Sequence, residues 1–464
     1  MKTKRIILLL AAIATLPCAV SAQNFRGGYF LDGYLYAYKL NPAFSNGTDF
    51  ISPMLGQSVT SVKSDLSLKQ LIFPSPDGTG LVTGLHSSVD TETFLKPLRK
   101  KQNPLILEED LNLFTYGFRR GAAYHIVDVS VRSGAAVNIP YDMFEFLKAG
   151  TSLRYDFDMK DLFLKSHTWL ELSYGQSYDL SDRLTIGARV KGLVGMAYGS
   201  VHARTLDMTL SEEYWRVQSD VDMEFAGHAF AYELAKDKEG NELNKVNLSS
   251  LDIRPFGFIG ANGIGLSADV GVRWQASERL ALSAAILDAG GIKWFDGLYA
   301  RTPEVDFRFD PAQVIGEQDK DNPANTLDSI TLFIPQSKKK NSFDPMTVTF
   351  NAGAEYRMPF YDRMTVGLLG SYRLDNIFNW WEIRGSVNAR PLGWLSLTAN
   401  AGLSTYGMSY GAAACVTTGV LQFFLGTDAY VYEMTPQLIP LTKLNHNLVL
   451  GLAVPLAPRC TCDR

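Results

Sequence analysis

An all-β fold, an antiparallel transmembrane β-barrel of about fourteen strands (fourteen to sixteen), is the fold class this sequence predicts. Three observations carry the expectation. Apolar and polar residues alternate with period two over stretches long enough to cross a bilayer. Short turns alternate with longer connections along the chain. Beyond the first 22 residues, no run approaches the 18 apolar residues of a spanning helix.

The chain opens with MKTKRIILLLAAIATLPCAVSAQ. Lys2, Lys4 and Arg5 form a positive n-region, Ile6–Leu16 an apolar core and Val20-Ser21-Ala22 a small-residue cleavage site, so residues 1–22 read as a secretory signal. The apolar run is too short for an anchor and Pro17 interrupts it. Pro17 is also the wrong neighbour for a lipidated Cys18. Without the signal the chain carries 41 basic and 48 acidic residues, net −7, which gives no ground for nucleic-acid binding.

Residues 23–53 precede the first convincing strand and hold Tyr29, Phe30, Tyr34, Tyr36, Tyr38 and Phe44. So many aromatic side chains are costly to leave in water, and Pro42 ends any regular strand in LYAYKLNPAF. The economical place for them is the lumen, as a plug or binding segment in which Tyr34, Tyr36, Tyr38 and Phe44 pack on the wall and Asn41-Pro42 turns.

Residues 54–454 carry the barrel pattern. In LTIGARVKGLVGMAY, Leu184, Ile186, Ala188, Val190, Val194, Met196 and Tyr198 share one parity, with Arg189 and Lys191 on the other. In GIGLSADVGVRWQ, Ile264, Leu266, Ala268, Val270, Val272 and Trp274 oppose Ser267, Asp269 and Arg273. TVTFNAGAEYR sets Phe350, Ala352, Ala354 and Tyr356 against Asn351, Glu355 and Arg357; WEIRGSVNAR sets Trp381, Ile383, Val387 and Ala389 against Glu382, Arg384 and Arg390. A strand of about 12 residues rises roughly 40 Å, or about 28 Å along the normal at ~45° tilt, which matches the hydrocarbon core. The apolar parity therefore faces lipid and the charged parity a wet lumen. The inward charges either pair with one another and the plug or line a solute path.

Short turns are expected at Ser181–Arg183, Ala276–Arg279, Tyr361–Asp362, Pro391–Gly393 and Thr418–Gly419, and long connections at Ala226–Asn262, Ala289–Pro345 and Glu433–Asn445. Short turns belong on the periplasmic side. A hairpin over Thr205–Phe225 either raises the count to sixteen or projects outward. Pro140–Gly150 reads as a short amphipathic helix in an outer loop, and Lys338-Lys339-Lys340 as a solvated charge run. Trp380, Trp381, Tyr406, Tyr410, Tyr430 and Tyr432 sit where interfacial girdles are expected.

Catalytic patterns are weak. Gly263, Gly265 and Ala268 match G-x-G-x-x-A, but strict alternation follows where a phosphate-binding loop needs a helix. Gly407–Gly411 matches G-x-S-x-G around Ser409, with Asp428 and His446 in hydrolase order, yet the spacing leaves no room for βα units. The six histidines show no metal spacing, and Cys460-x-Cys462 reads as part of a polar tail over residues 455–464. No enzyme, metal or cofactor is expected.

LNPAF, LNLFTYGFR, NIPYDMFEFLKAG and DLSDRLTIGARVKGLVG together resemble the Bacteroidota outer-membrane barrels of unknown function (domain of unknown function 5723). These are similar in architecture to the long-chain fatty-acid transporter-like barrels. The resemblance covers nearly the whole mature chain. It implies about fourteen strands, a lumenal N-terminal segment, an outer-membrane location and passage of hydrophobic compounds. The tail PLAPRCTCDR departs from the terminal aromatic that many barrels use for assembly. The expected function is passive transport of a small apolar solute across a lipid-embedded barrel. The N-P-A motif also occurs in barrels of gliding and secretion machinery, so a structural or accessory subunit with an envelope protein partner stays open. An outer-membrane barrel hydrolase stands third.

Overall fold

The computed structural model describes residues 25–44, 47–53, 56–64, 66–78, 80–211, 213–227, 230–231, 233–236, 242–247, 252–253, 260–302, 305–309, 332–375, 378–430 and 445–456. The expected signal, Tyr432 and Cys460-x-Cys462 lie outside them.

Among the described residues, fourteen staves close an antiparallel barrel. The first stave is in two pieces, β1 (Phe50–Ser52) and β2 (Gln57–Ser64), so it begins inside the segment expected to precede the barrel. Then follow β3 (Asn103–Arg120), β4 (Ala123–Ile139), β5 (Phe163–Ser181), β6 (Leu184–Leu210), β7 (Trp215–Ala226), β8 (Gly263–Gln275), β9 (Leu280–Arg301) and β10 (Leu332–Pro345). The ring continues with β11 (Val348–Arg357), β12 (Met364–Leu374), β13 (Trp380–Leu392), β14 (Leu395–Ser404), β15 (Gly407–Thr417), β16 (Gln422–Thr427) and β17 (His446–Pro455). β17 closes the seam on the first stave, with Phe50 opposite Pro455 and Gln57 opposite Gly451. Closure leaves no unpaired edge in a medium that cannot solvate one.

β7 and β10 are not staves. β6 and β9 overshoot the ring at the end that carries the long connections. There β7 takes over the place of β8 between them, pairing Gly199 with Phe225 and Phe225 with Leu298. The Thr205–Phe225 hairpin thus projects outward. Ala289–Pro345, expected as a loop, is instead partly strand: β9 runs on to Arg301 and β10 returns along it from Leu332. What holds these extensions is a small core of their own, with Ala203, Met223, Phe225, Leu298, Ala300 and Phe333 buried together. Across these extensions Lys340 donates to Glu224 at 3.0 Å and lies 3.8 Å over the Tyr299 ring, so the lysine run is not simply solvated. Helix α1 (Thr91–Leu95) and helix α2 (Tyr141–Ala149) pack at the same end through Phe94 and Phe144, while Leu147 stays exposed.

The outer surface follows the predicted parity. On β8, Ile264, Leu266, Val270 and Trp274 are 62, 64, 51 and 49% exposed, whereas Ser267 and Asp269 are buried. A row of Phe350, Tyr372 and Trp381, mutually in register, marks one rim. Tyr178, Trp274, Tyr356 and Trp394 mark the other. Two aromatic belts around an aliphatic band are the signature of a lipid-facing barrel. Trp380 and Tyr406, expected in the girdle, are buried instead. Period two fixes this: Trp381 faces lipid, so its neighbour Trp380 turns inward. Val270→Arg, in the middle of the apolar band, should cost roughly 2–4 kcal/mol. Its melting in detergent or lipid should fall accordingly, whereas Val270→Thr should leave it nearly unchanged.

Candidate functional site

The lumen is crossed by residues 25–44, which wind through consecutive tight turns, with Leu31 N–H donating to Gly28 O, Tyr34 to Leu31, Ala37 to Tyr34 and Leu40 to Ala37. These bonds satisfy the backbone without a partner strand, which a segment isolated inside a barrel requires. Tyr34, Tyr36 and Tyr38 are almost wholly buried, together with Phe25, Leu35 and Leu40. Burial holds the three phenols above their ordinary range, so they act as neutral hydrogen-bonding groups.

The wall grips this segment on several sides. The main-chain N–H groups of Arg26 and Gly27 donate to the two carboxylate oxygens of Asp428 at 2.8 and 2.7 Å. Gln422 donates to Gly33 O at 2.8 Å and Gln57 to the Tyr34 hydroxyl at 2.7 Å. Tyr36 donates to Leu452 O at 3.2 Å, and Asn351 donates to Leu40 O at 3.0 Å. Asn41 and Pro42 form a turn closed by Phe44 N–H on Asn41 O at 2.9 Å. The Asn41 amide donates to Val272 O and Ala284 O, on β8 and β9. Inward glycines make room for this turn. A Cβ at Gly271 would overlap Asn41 Oδ1, and one at Gly187 the Pro42 main chain. Phe44 is partly buried and packs on Tyr29, 4.9 Å between ring centroids.

Around Tyr38 lies a connected set of four cations and five carboxylates. Lys39 reaches Asp110 at 2.9 Å and Asp128 at 3.8 Å, and Tyr38 donates to Asp128 at 2.6 Å. Arg189 meets Asp269 at 3.1 Å, Glu171 at 3.5 Å and Asp128 at 3.7 Å. Lys191 bridges Asp269 at 2.7 Å and Asp288 at 2.5 Å, and Arg132 bridges Asp288 at 2.8 Å and Glu171 at 3.1 Å. Every charge has an opposite neighbour, the condition under which buried ions are tolerated. A second set joins Arg26 to Glu382 at 3.4 Å and Arg384 to Glu382 at 2.6 Å, with Arg26 3.9 Å over the Trp380 ring.

The remaining predicted charges lie elsewhere. Arg273, Glu355, Arg357 and Arg390 line a cavity of about 830 Å³ at the short-turn end, beneath Tyr29, Phe30 and Phe44. Arg273 pairs with Glu355 at 3.8 Å and Arg390 with Asp32 at 3.0 Å. On the loop side of the plug, a cavity of about 60 Å³ is lined by Lys63, Glu108, Arg373, Trp380 and Tyr406, among others. The inward charges thus divide: Arg189, Lys191, Asp269, Glu382 and Arg384 are locked in buried pairs, and the other four face open space.

Other motifs take strand positions. Gly263, Gly265 and Ala268 lie within β8. Ser409 accepts from Arg384 at 3.0 Å, Asp428 caps the plug, and His446 Nδ1 lies 2.9 Å from Ala429 O, so each has another partner. Cys415 is buried on the inward face of β15. Among the described residues, no group of three His, Cys, Asp or Glu side chains is arranged to hold a metal.

Sequence reading missed Arg26, Lys39, Asp110, Asp128, Arg132, Glu171 and Asp288. Parity offered a signal for some: in VDVSVR, Asp128, Ser130 and Arg132 share a face. Asp288 was harder, because it sits at positive φ, 60°, in a bulge that breaks the alternation of β9. An Asp-Ala-Gly-Gly run inside a strand marks such a bulge.

The profile described as Family of unknown function (DUF5723) matches residues 42–428. A search of curated proteins finds no match. Among solved structures, the chain is similar to the Ralstonia pickettii toluene transporter TbuX, at 10% identity and TM-score 0.42, over 90% of this chain and 93% of that one. It is similar to the Pseudomonas putida toluene transporter TodX, at 8% identity and TM-score 0.41, over 94% and 98%. It is similar to a Pseudomonas aeruginosa FadL homologue, at 9% identity and TM-score 0.42, over 94% and 98%.

Proposed function

The chain belongs to the DUF5723 family, and from that premise we propose that it is an outer-membrane barrel that passes a small apolar solute passively, with its N-terminal segment as the gate. The observation that carries this reading is the division of the lumen. An aromatic segment crosses it and closes on an 830 Å³ cavity whose ceiling includes Phe30 and Phe44. The short turns, and with them this cavity, face the periplasm, the long connections face outward, and lipid covers the aliphatic band. A solute entering from the loop end leaves through the cavity once the plug shifts. The plug residues contribute aromatic surface to the path; the buried ion pairs hold the resting position.

Intact cells producing the protein should take up the apolar dye N-phenyl-1-naphthylamine faster than cells without it. Equal uptake would remove the transport reading. A second reading, a non-transporting accessory subunit bound to an envelope protein, draws on a different observation: the cavity on the loop side of the plug holds only about 60 Å³. That reading predicts equal uptake together with a partner recovered from native membranes.

A further inference from the structure

The cavity at the turn end joins an aromatic ceiling to an arc of arginines. Phe30 and Phe44 both stand edge-to-face on Tyr29, with centroids 4.8 and 4.9 Å away, and both keep surface open to the cavity. The arc is continuous along adjacent hairpins, because Arg357 N–H donates to Arg279 O and Arg390 N–H to Arg363 O, each at 2.8 Å. Six arginines and four carboxylates line the space, a net +2. Three of the six are matched: Arg119 with Asp179 at 3.7 Å, Arg273 with Glu355 and Arg390 with Asp32. Arg279, Arg357 and Arg363 have no carboxylate within 4.0 Å among the described residues, although Glu355 also faces Arg357. A cleft with a net positive lining draws anions toward it. Guanidinium groups hold oxyanions through paired hydrogen bonds.

We propose that this cavity is a binding site for a compact aromatic organic anion. Its ring lies under Phe30 and Phe44, and its carboxylate or sulfonate head on Arg279, Arg357 and Arg363. A neutral solute would use the ceiling but leave the arginines unanswered, so the arc selects a charged head. The inference rests on the passage reading for its place on a path, but binding is independent of passage.

The test is calorimetric titration of the full chain, in a neutral detergent, with 2-naphthalenesulfonate and with neutral 2-naphthol. The sulfonate should bind one-to-one, and the Arg279→Gln/Arg357→Gln/Arg363→Gln variant should weaken it by about tenfold or more, ~1.4 kcal/mol, with 2-naphthol unaffected. On the unaltered protein, raising KCl should weaken the sulfonate alone, a readout that needs no variant. Naphthol binding as tightly as sulfonate, or sulfonate binding indifferent to both salt and the triple substitution, would overturn the site. Sulfonate binding without dye uptake would instead remove the passage reading and leave the site standing.

Discussion

Lys39→Met is expected to unseat the plug while leaving the barrel intact. Lys39 is buried, and its ammonium lies 2.9 Å from Asp110 and 3.8 Å from Asp128, with Ser130 accepting at 3.0 Å. Methionine preserves most of the volume and none of the charge. Asp110 then loses its only ion pair among the described residues, and uncompensated buried charge costs about 3–5 kcal/mol. The staves are held by their own ladders, so this cost falls on docking of residues 25–44. The variant should keep its heat-modifiable migration, conduct ions in planar bilayers and be cleaved within the plug by added protease. Lys39→Met with Asp110→Asn should recover part of the loss, because the second change removes the stranded charge. Native protection and silence in the single variant would show that the ion pairs do not hold the segment.

A larger steric effect is expected at two glycines of the wall. Gly271→Val and Gly187→Val each put a branched side chain where the Asn41-Pro42-Ala43 turn now sits. Overpacking alone costs about 1–3 kcal/mol. Displacing Asn41 also breaks its bonds to Val272 O and Ala284 O, at 3.2 and 3.3 Å, and strands a buried amide at about 1–3 kcal/mol more. The two substitutions should each raise bilayer conductance, and the pair together should add little, since one displaced turn answers both. Gly385→Val is the control: its Cβ would meet open space on the exposed face of β13. If Gly271→Val behaves like Gly385→Val, the turn is not seated on β8.

The staves were legible because lipid on one side and a charged lumen on the other impose strict period two, as in GIGLSADVGVRWQ. The overshooting halves of β6 and β9 were not, because above the membrane neither face meets lipid and the contrast fades. Around Gly297 the register with β10 also shifts, which breaks the pattern further. Individual lumen charges such as Arg189 and Asp269 could be read from parity. Their pairing could not: Lys39 and Asp110 are 71 residues apart, and Arg132 and Asp288 are 156 apart. Pairing at such separations depends on closure of the ring, and no local pattern carries it. The plug's aromatics pointed to the lumen, yet the glycines that receive the N-P-A turn looked like ordinary small strand residues.

The measurement closest to the central claim is the planar-bilayer conductance of a variant lacking Gly28–Asn46, compared with the intact chain. Residues 28–44 fill the middle of the lumen, and below them lies the 830 Å³ cavity. The intact protein should be nearly silent, and the deletion should give a folded, heat-modifiable barrel with steady ion-conducting openings. A folded deletion variant that stays closed would contradict the account, because the wall's own side chains, and not the N-terminal segment, would then be what seals the barrel.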